Sequence, residues 1–335
     1  MDNSITPILL LASERSGTNL LRAIVSSHSQ IASPSPFSMI DALASRYFMY
    51  ARLEDKNHFQ QLIEDSIELT QVHLNPWPSR FSVNDVKKKL KQNSFWDVFK
   101  VMNTLYTELE NKKHWFSKEP SLFRHIYELA IHFPEAKFVY MVRDPRDVVS
   151  SIVKGGVHEQ NVCNAAIRWR QEQELILNAY TDPVLRDRIF MLKYEDLIQN
   201  QEDLVKKLMS FVEINFEEQQ LTFYKDKRVI EHSQKSEFWQ NLSKPINQEN
   251  SGKYRKSLSV KQIKLIESIC WNEMKMLGYK TENQSPMHVS FKVKVFYRVH
   301  GRIKKMIKKL SWSQESKRQR QRSTGAAAIR NRKFY

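Results

Sequence analysis

The chain has 335 residues, 41% of them hydrophobic, and a formal net charge of +16, which is enough apolar material for one large core or two small ones. No stretch approaches the roughly 20 apolar residues that cross a bilayer, and the two cysteines, Cys163 and Cys270, have neither metal-ligand spacing nor the count of a disulfide framework. The charge is local: residues 291–335 hold 15 Lys/Arg and one acid, Glu315, so the other 290 residues are nearly neutral and do not describe a nucleic-acid-binding body.

Residues 5–12 read as an apolar strand that runs into Leu11-Ala12-Ser13-Glu14-Arg15-Ser16-Gly17-Thr18-Asn19-Leu20, and residues 18–28 read as a helix. A strand, a tight Ser/Gly/Thr turn and a helix aim backbone N–H groups and a helix N-terminus at one point, which seats a phosphate. Arg15 places a cation inside that turn. The nucleotide-hydrolase pattern GxxxxGK[ST] fails, because no glycine opens the loop and Thr18 follows Gly17. The plainer reading is a Ser/Thr cap on an ordinary helix.

Residues 38–110 are mostly helical by period, with Asn75-Pro76-Trp77-Pro78-Ser79 as a break. Trp77, Trp96, Phe37, Tyr47 and Phe48 lie in or beside this region, either as core or as rings for an acceptor to stack on. A strand near 115–118 precedes a helix at 121–131. A second strand, Lys137 to Val142, opens into Arg143-Asp144-Pro145-Arg146-Asp147-Val148-Val149-Ser150-Ser151 and a helix beginning near Arg146. Arg143 at a strand end and Ser151 eight residues later can converge on a second phosphate. The alternative is a surface Arg–Asp cluster that caps a helix.

Further helices are expected over 161–180 and 201–212, a strand over 188–193, a polar mobile loop over 228–256, and a helix over 259–277 that Gly278 ends. Strands and helices alternate as in a three-layer α/β fold with a central parallel sheet. After Ser285 the character changes. Phe296, Val299, Ile303, Met306 and Leu310 fall on one helical stripe ringed by Arg298, Arg302, Lys305, Lys308 and Lys309, the pattern of a basic amphipathic helix that lies on an anionic membrane surface or docks on the body. Residues 1–285 are thus the body, 286–312 a basic amphipathic helical extension and 313–335 a basic disordered tail. The N-terminus has no basic start and too short an apolar run for a signal peptide, so a cytoplasmic protein is expected, peripheral on the inner membrane face.

The two phosphate-binding segments together resemble the sulfotransferases that use 3′-phosphoadenosine 5′-phosphosulfate, PAPS. In that family a strand-loop-helix carrying [KR]SGT[TN] holds the 5′-phosphosulfate, here Arg15-Ser16-Gly17-Thr18-Asn19, and a strand-end Arg with a Ser eight residues on holds the 3′-phosphate, here Arg143 and Ser151. Lys118 in Trp115-Phe116-Ser117-Lys118-Glu119-Pro120 resembles the second active-site lysine. Tyr194 in Leu192-Lys193-Tyr194-Glu195-Asp196-Leu197 resembles the tyrosine on the adenine, with plain core as its other reading. Ser251-Gly252-Lys253-Tyr254-Arg255-Lys256 resembles the late basic loop, so Lys253 and Arg255 join the cofactor set. The resemblance covers residues 5 to 279 and is closer to the glycan, tyrosylprotein and bacterial branch than to the small-molecule cytosolic one. It implies sulfonate transfer from PAPS to a hydroxyl, PAP as product, and no metal, since side-chain cations and loop amides take its place.

The proton acceptor departs from the family. The tyrosylprotein and glycan branches carry a glutamate after the first helix, where this chain has Pro34-Ser35-Pro36-Phe37. The small-molecule branch carries a histidine just past the lysine, where this chain has Glu119-Pro120. Glu119, Asp41 and His114 are the remaining candidates, Glu119 first because it adjoins Lys118. The acceptor is a hydroxyl, with a glycan, glycolipid or other lipid-linked one favoured by the basic extension, and nucleic acid is disfavoured. Two other readings stand beside this one. One is a kinase-like nucleotide enzyme with a variant phosphate loop. The other is a degenerate transferase that serves as a membrane- or nucleic-acid-binding module.

Overall fold

The computed structural model describes residues 5–45, 50, 56–72, 75–155, 161–286, 297, 299 and 329. Its centre is a five-stranded parallel sheet: β1 (Pro7–Ala12), β2 (Ile31–Ala32), β3 (His114–Ser117), β4 (Lys137–Val142) and β5 (Ile189–Lys193), in the spatial order β2-β3-β1-β4-β5. β1 is buried on both faces, as a central parallel strand requires. Its side chains divide by period two: Leu9 and Leu11 enter one apolar cluster, Ile8 and Leu10 the other.

Those clusters are the two interfaces of a three-layer fold. On the first face pack α5 (Phe95–Leu109), α7 (Pro145–Gly155) and α8 (Val162–Thr181), through Phe99, Met102, Val148, Ile152, Trp169 and Ile176. On the second pack α1 (Thr18–Ser26) and α10 (Gln201–Phe211), through Leu21, Ile24, Val25, Val205 and Leu208. Each such side chain contributes about 1.5–3 kcal/mol by leaving water. Phe37, Trp77 and Trp96 are buried in the first cluster, which makes these three core rather than exposed acceptor platforms. Tyr47 and Phe48 lie outside the described residues.

Chain connections leave β1 toward β2 on one side, and after β3 they cross to β4 and β5 on the other. The strand order therefore reverses between β1 and β4, and open α/β sheets bind ligands outside the carboxyl ends of the strands at such a point. The Ser13–Gly17 turn and Arg143 both emerge there: in the β1–β4 register Ala12 faces Met141, so the next residues of the two strands run side by side.

The structure departs from the sequence reading in the later part of the chain. The 228–256 stretch is not an irregular loop: it contains α11 (Lys227–Ser233), capped by the Asp226 carboxylate on the Arg228 N–H at 2.8 Å, and 3-10 turns over Glu237–Ser243 and Lys253–Lys256. The 259–277 helix is two, α12 (Val260–Ile269) and α13 (Trp271–Met276), broken at buried Cys270, whose backbone leaves helical geometry. Tyr194, just past the expected strand, begins α9 (Tyr194–Gln199). Of the extension and tail, Pro286, Tyr297, Val299 and Ile329 are described. The Tyr297 carbonyl accepts from Asn161 at 2.8 Å, and Ile329 is helical and 2% exposed. The rest of the apolar stripe and tail lies outside the described residues.

Candidate functional site

Arg15 and Gly17 both take left-handed backbone, at φ 68 and φ 92. Left-handed residues alternating with ordinary ones turn successive N–H groups into one concavity. Gly17 is also the N-cap of α1 and makes no side-chain cap, so the plain Ser/Thr cap is not what is found. The N–H groups of Thr18 and Asn19 open α1 and have no partner within the helix, while Leu20 donates to the Gly17 carbonyl at 2.9 Å. Ser16 contributes a buried hydroxyl with no hydrogen-bond partner. Gly17 is required twice: a Cβ there would lie 2.3 Å from Tyr194 Cδ2, and its φ is one that side chains rarely adopt.

Arg143 stands beside this turn. One guanidinium nitrogen donates to the Arg15 carbonyl at 3.3 Å, the other to the Asn250 carbonyl at 2.8 Å, and Nε is buried without a partner. The guanidinium lies 4.1 Å from the centre of the Tyr194 ring, and Asn250 in turn donates to the Tyr194 hydroxyl. Burial raises the Tyr194 pKa, opposed by the Arg143 charge and by Asn250. Arg15 Nε donates to Ser151 Oγ at 3.0 Å, and its guanidinium lies 5.0 Å from the Phe238 ring. Partial burial lowers the Arg15 pKa, Glu14 opposes the shift, and the charge of Arg143 adds to it. Two mutually repelling cations, the first helix N–H groups and two buried polar atoms without partners make an arrangement that can seat a polyanion.

The Arg143 segment is no surface cluster. Asp144, Arg146 and Asp147 are buried. Arg146 grips Asp144 and Glu267 at 2.6 and 2.7 Å. Asp147 accepts the backbone N–H groups of Gly252 and Tyr254 at 2.7 and 2.8 Å. The late turn is thereby docked on α7, with Tyr254 buried under Arg146. Lys253 is exposed in that turn. Arg255 turns outward to Glu282 at 2.8 Å and makes no described contact with Arg15, Arg143 or Ser151.

Lys118 follows the last residue of β3 and is half-buried at the carboxyl edge of the sheet. Glu119 is 6% exposed, and its Oε1 accepts the Phe37 N–H at 2.7 Å. Asp41 is exposed in the first turn of α2 (Met39–Leu43). His114 is corrected: it is the first residue of β3, where its Nδ1 faces the Thr6 N–H at 3.3 Å, so it lies at the amino edge of the sheet, away from the Arg15 turn. Sequence reasoning missed Asp147 as a docking group, and also Asn250 and Phe238. Asp147 had a signal, four residues before Ser151 on one face of α7 and four after Arg143 at the strand end. Asn250 and Phe238 meet the site across more than 100 and 200 residues of chain, where no local pattern reaches.

The family model described as "Sulfotransferase family" matches residues 7–218, more than half of the chain. Among curated relatives, an uncharacterized protein of Aquifex aeolicus is 22% identical over 67% of this chain and 28% of its own length. A protein-tyrosine sulfotransferase of Drosophila melanogaster is 23% identical over 60% of this chain and 36% of its own. The chain spans about a third of the length of the curated relatives it matches. Among solved structures, a sulfotransferase domain from the curacin biosynthetic pathway is similar at TM-score 0.57 and 19% identity, over 84% of this chain and all of that one. A sulfotransferase domain from the Synechococcus PCC 7002 olefin synthase is similar at TM-score 0.52 and 19% identity, over 83% and 95%. These structural likenesses are likenesses of fold.

Proposed function

The chain belongs to the sulfotransferase family, and from that premise we propose that it moves the sulfonate group of PAPS to an acceptor hydroxyl, in line, with release of PAP. PAPS supplies an activated sulfonate whose leaving group is a phosphate. Arg15 holds the bridging and leaving oxygens as a clamp that stays charged at every working pH. Lys118 neutralises the sulfonate oxygens. Ser16, Gly17, Thr18 and Asn19 orient the phosphosulfate through N–H and hydroxyl groups. Arg143 and Ser151 hold the 3′-phosphate, and Tyr194 packs on the adenine. Lys253 adds charge from the late turn, and Arg255 does so on leaving Glu282. The observation that carries this reading is the Arg143 guanidinium 3.3 Å from the Arg15 carbonyl: cations from two neighbouring strands meet where the strand order reverses.

Glu119 takes the acceptor proton. Support comes from its hydrogen bond to Phe37. The family glutamate that is absent from Pro34-Ser35-Pro36-Phe37 has its counterpart in a carboxylate brought to the same segment from β3. The acceptor is a glycan, glycolipid or other lipid-linked hydroxyl met at the cytosolic membrane face, read from the basic stripe after Ser285. The Drosophila relative's name makes a tyrosyl hydroxyl the competing acceptor.

Incubation with labelled PAPS and separate panels of glycolipid, glycan and tyrosyl-peptide acceptors should release PAP and label one panel. Arg15→Ala should abolish turnover, and Arg143→Ala should raise the PAPS concentration required. Glu119→Gln should lower kcat by about 10²–10⁴-fold with PAP affinity unchanged. Magnesium-dependent ATP turnover, with Arg143→Ala without effect, would overturn the assignment.

A further inference from the structure

We propose that Asp147 is a positioning residue that gives the second phosphate seat its preference for a 3′-phosphate, by docking the Asn250–Tyr254 turn onto the face of α7 that carries Ser151 and adjoins Arg143. The inference rests on the reading of Arg143 and Ser151 as that seat.

Arg143, Asp147 and Ser151 are spaced by four residues, so Asp147 and Ser151 share one helix face and Arg143 precedes it at the strand end. An acid between a cation and a hydroxyl would repel a phosphate dianion if its charge were left open. Here both oxygens are engaged. Oδ2 accepts the Gly252 N–H at 2.7 Å and Oδ1 the Tyr254 N–H at 2.8 Å, and Arg143 stands 3.9 Å away. The carboxylate is 3% exposed, so its charge is spent on fixing the turn.

The docked turn then supplies what the seat needs. Asn250, two residues before Gly252, receives the second Arg143 nitrogen on its carbonyl and fixes the Tyr194 hydroxyl with its amide. Gly252 turns the chain at φ 69, and exposed Lys253 follows it. Ser257 and Ser150 close the turn's far side at 2.7 Å. Arg143 is thereby held 4.1 Å from the centre of the Tyr194 ring and hydrogen-bonded to both the Arg15 loop and the late turn. Without the dock, Arg143 keeps its charge but loses its orientation, and a bare ribose 3′-hydroxyl is discriminated less well from a 3′-phosphate.

The test is the ratio of affinities for PAP and adenosine 5′-monophosphate, measured calorimetrically on the full chain. Asp147→Asn keeps the shape, but only one amide atom can accept, so one turn N–H meets an NH₂ group. The expected result is a PAP-to-AMP preference reduced about 10- to 100-fold, AMP affinity little changed, and the unfolding midpoint without nucleotide within a few degrees of wild type. Asp147→Glu should restore part of the preference. Gly252→Ala loosens the same dock from the other side: nothing lies within 4 Å of the new Cβ, so only backbone strain is added and the loss should be about fivefold. That variant decides the matter if Asp147→Asn does not fold. Wild type with no preference for PAP would remove the seat itself, and the reading beneath it. Wild type with a strong preference that both variants retain would remove the role of Asp147 alone.

Discussion

Arg15 holds φ 68, a region that costs a side chain about 1–2 kcal/mol. Its guanidinium faces Ser151 and Phe238, and its φ helps turn the loop N–H groups inward. The strain is therefore matched to the site. Comparing two substitutions separates the backbone from the side chain. Arg15→Gly and Arg15→Ala both lose the clamp and should both lose turnover by at least about 10²-fold. Arg15→Gly should be the more stable of the two by about 1 kcal/mol, because only glycine holds φ 68 without strain. Equal denaturation midpoints at equal m-values would show the turn to be unstrained. At this scale the chain is readable wherever a residue acts through its own segment. Arg15, Gly17 and Arg143 follow from strand-turn-helix order. The 2.3 Å approach that a Gly17 Cβ would make to Tyr194, and the ring of Phe238 over Arg15, follow only from folding distant segments together.

Elements are held to the sheet by polar links that periodicity does not reveal. Lys112 sits before β3 and is half-buried, and its ammonium donates to the carbonyls of Ser26, His28 and Ile31 at 2.8, 2.9 and 2.9 Å. It closes the C-terminal end of α1 and ties that end to β2 and β3. Lys112→Met keeps the length of the side chain and removes all three donors. It should cost about 2 kcal/mol or more, since carbonyls shielded from water lose their partner, and it should leave PAP affinity unchanged, because the amino edge of the sheet is remote from the Arg15 turn. A lower urea midpoint at unchanged m would check this. β1, β4, α7 and α8 were legible because apolar period and strand-end residues coincide. β2 was not, being two residues long and fixed by its pairing with β3. The 227–243 segments were not either. Their stability comes from contacts such as His232 stacked 4.2 Å from Trp239, while their composition is that of a loop.

At the scale of the whole molecule, the charge is segregated. Residues 291–335 carry 15 of the 53 Lys/Arg with one acid, so the extension attracts anions while the body stays near neutrality. Among the described residues no helix is long and apolar enough to cross a membrane. Each lysine near an anionic leaflet contributes about 1 kcal/mol. Replacing Lys304, Lys305, Lys308 and Lys309 together by Gln should therefore weaken binding to phosphatidylserine-containing vesicles by about 10³-fold at low salt. Adding salt to wild type should approach the same loss by screening. The buried Ile329 and the Asn161–Tyr297 hydrogen bond tie the extension to the body, so neutralising the lysines is a cleaner change than cutting the segment away. Turnover on a water-soluble acceptor should survive the substitutions, because the proposed phosphate seats are built from Arg15, Ser16, Arg143 and Ser151 at the carboxyl edge of the sheet and draw no residue from 304–309. Vesicle binding that ignores both the four lysines and the salt would assign the stripe to the body's own surface and leave the acceptor without a membrane address.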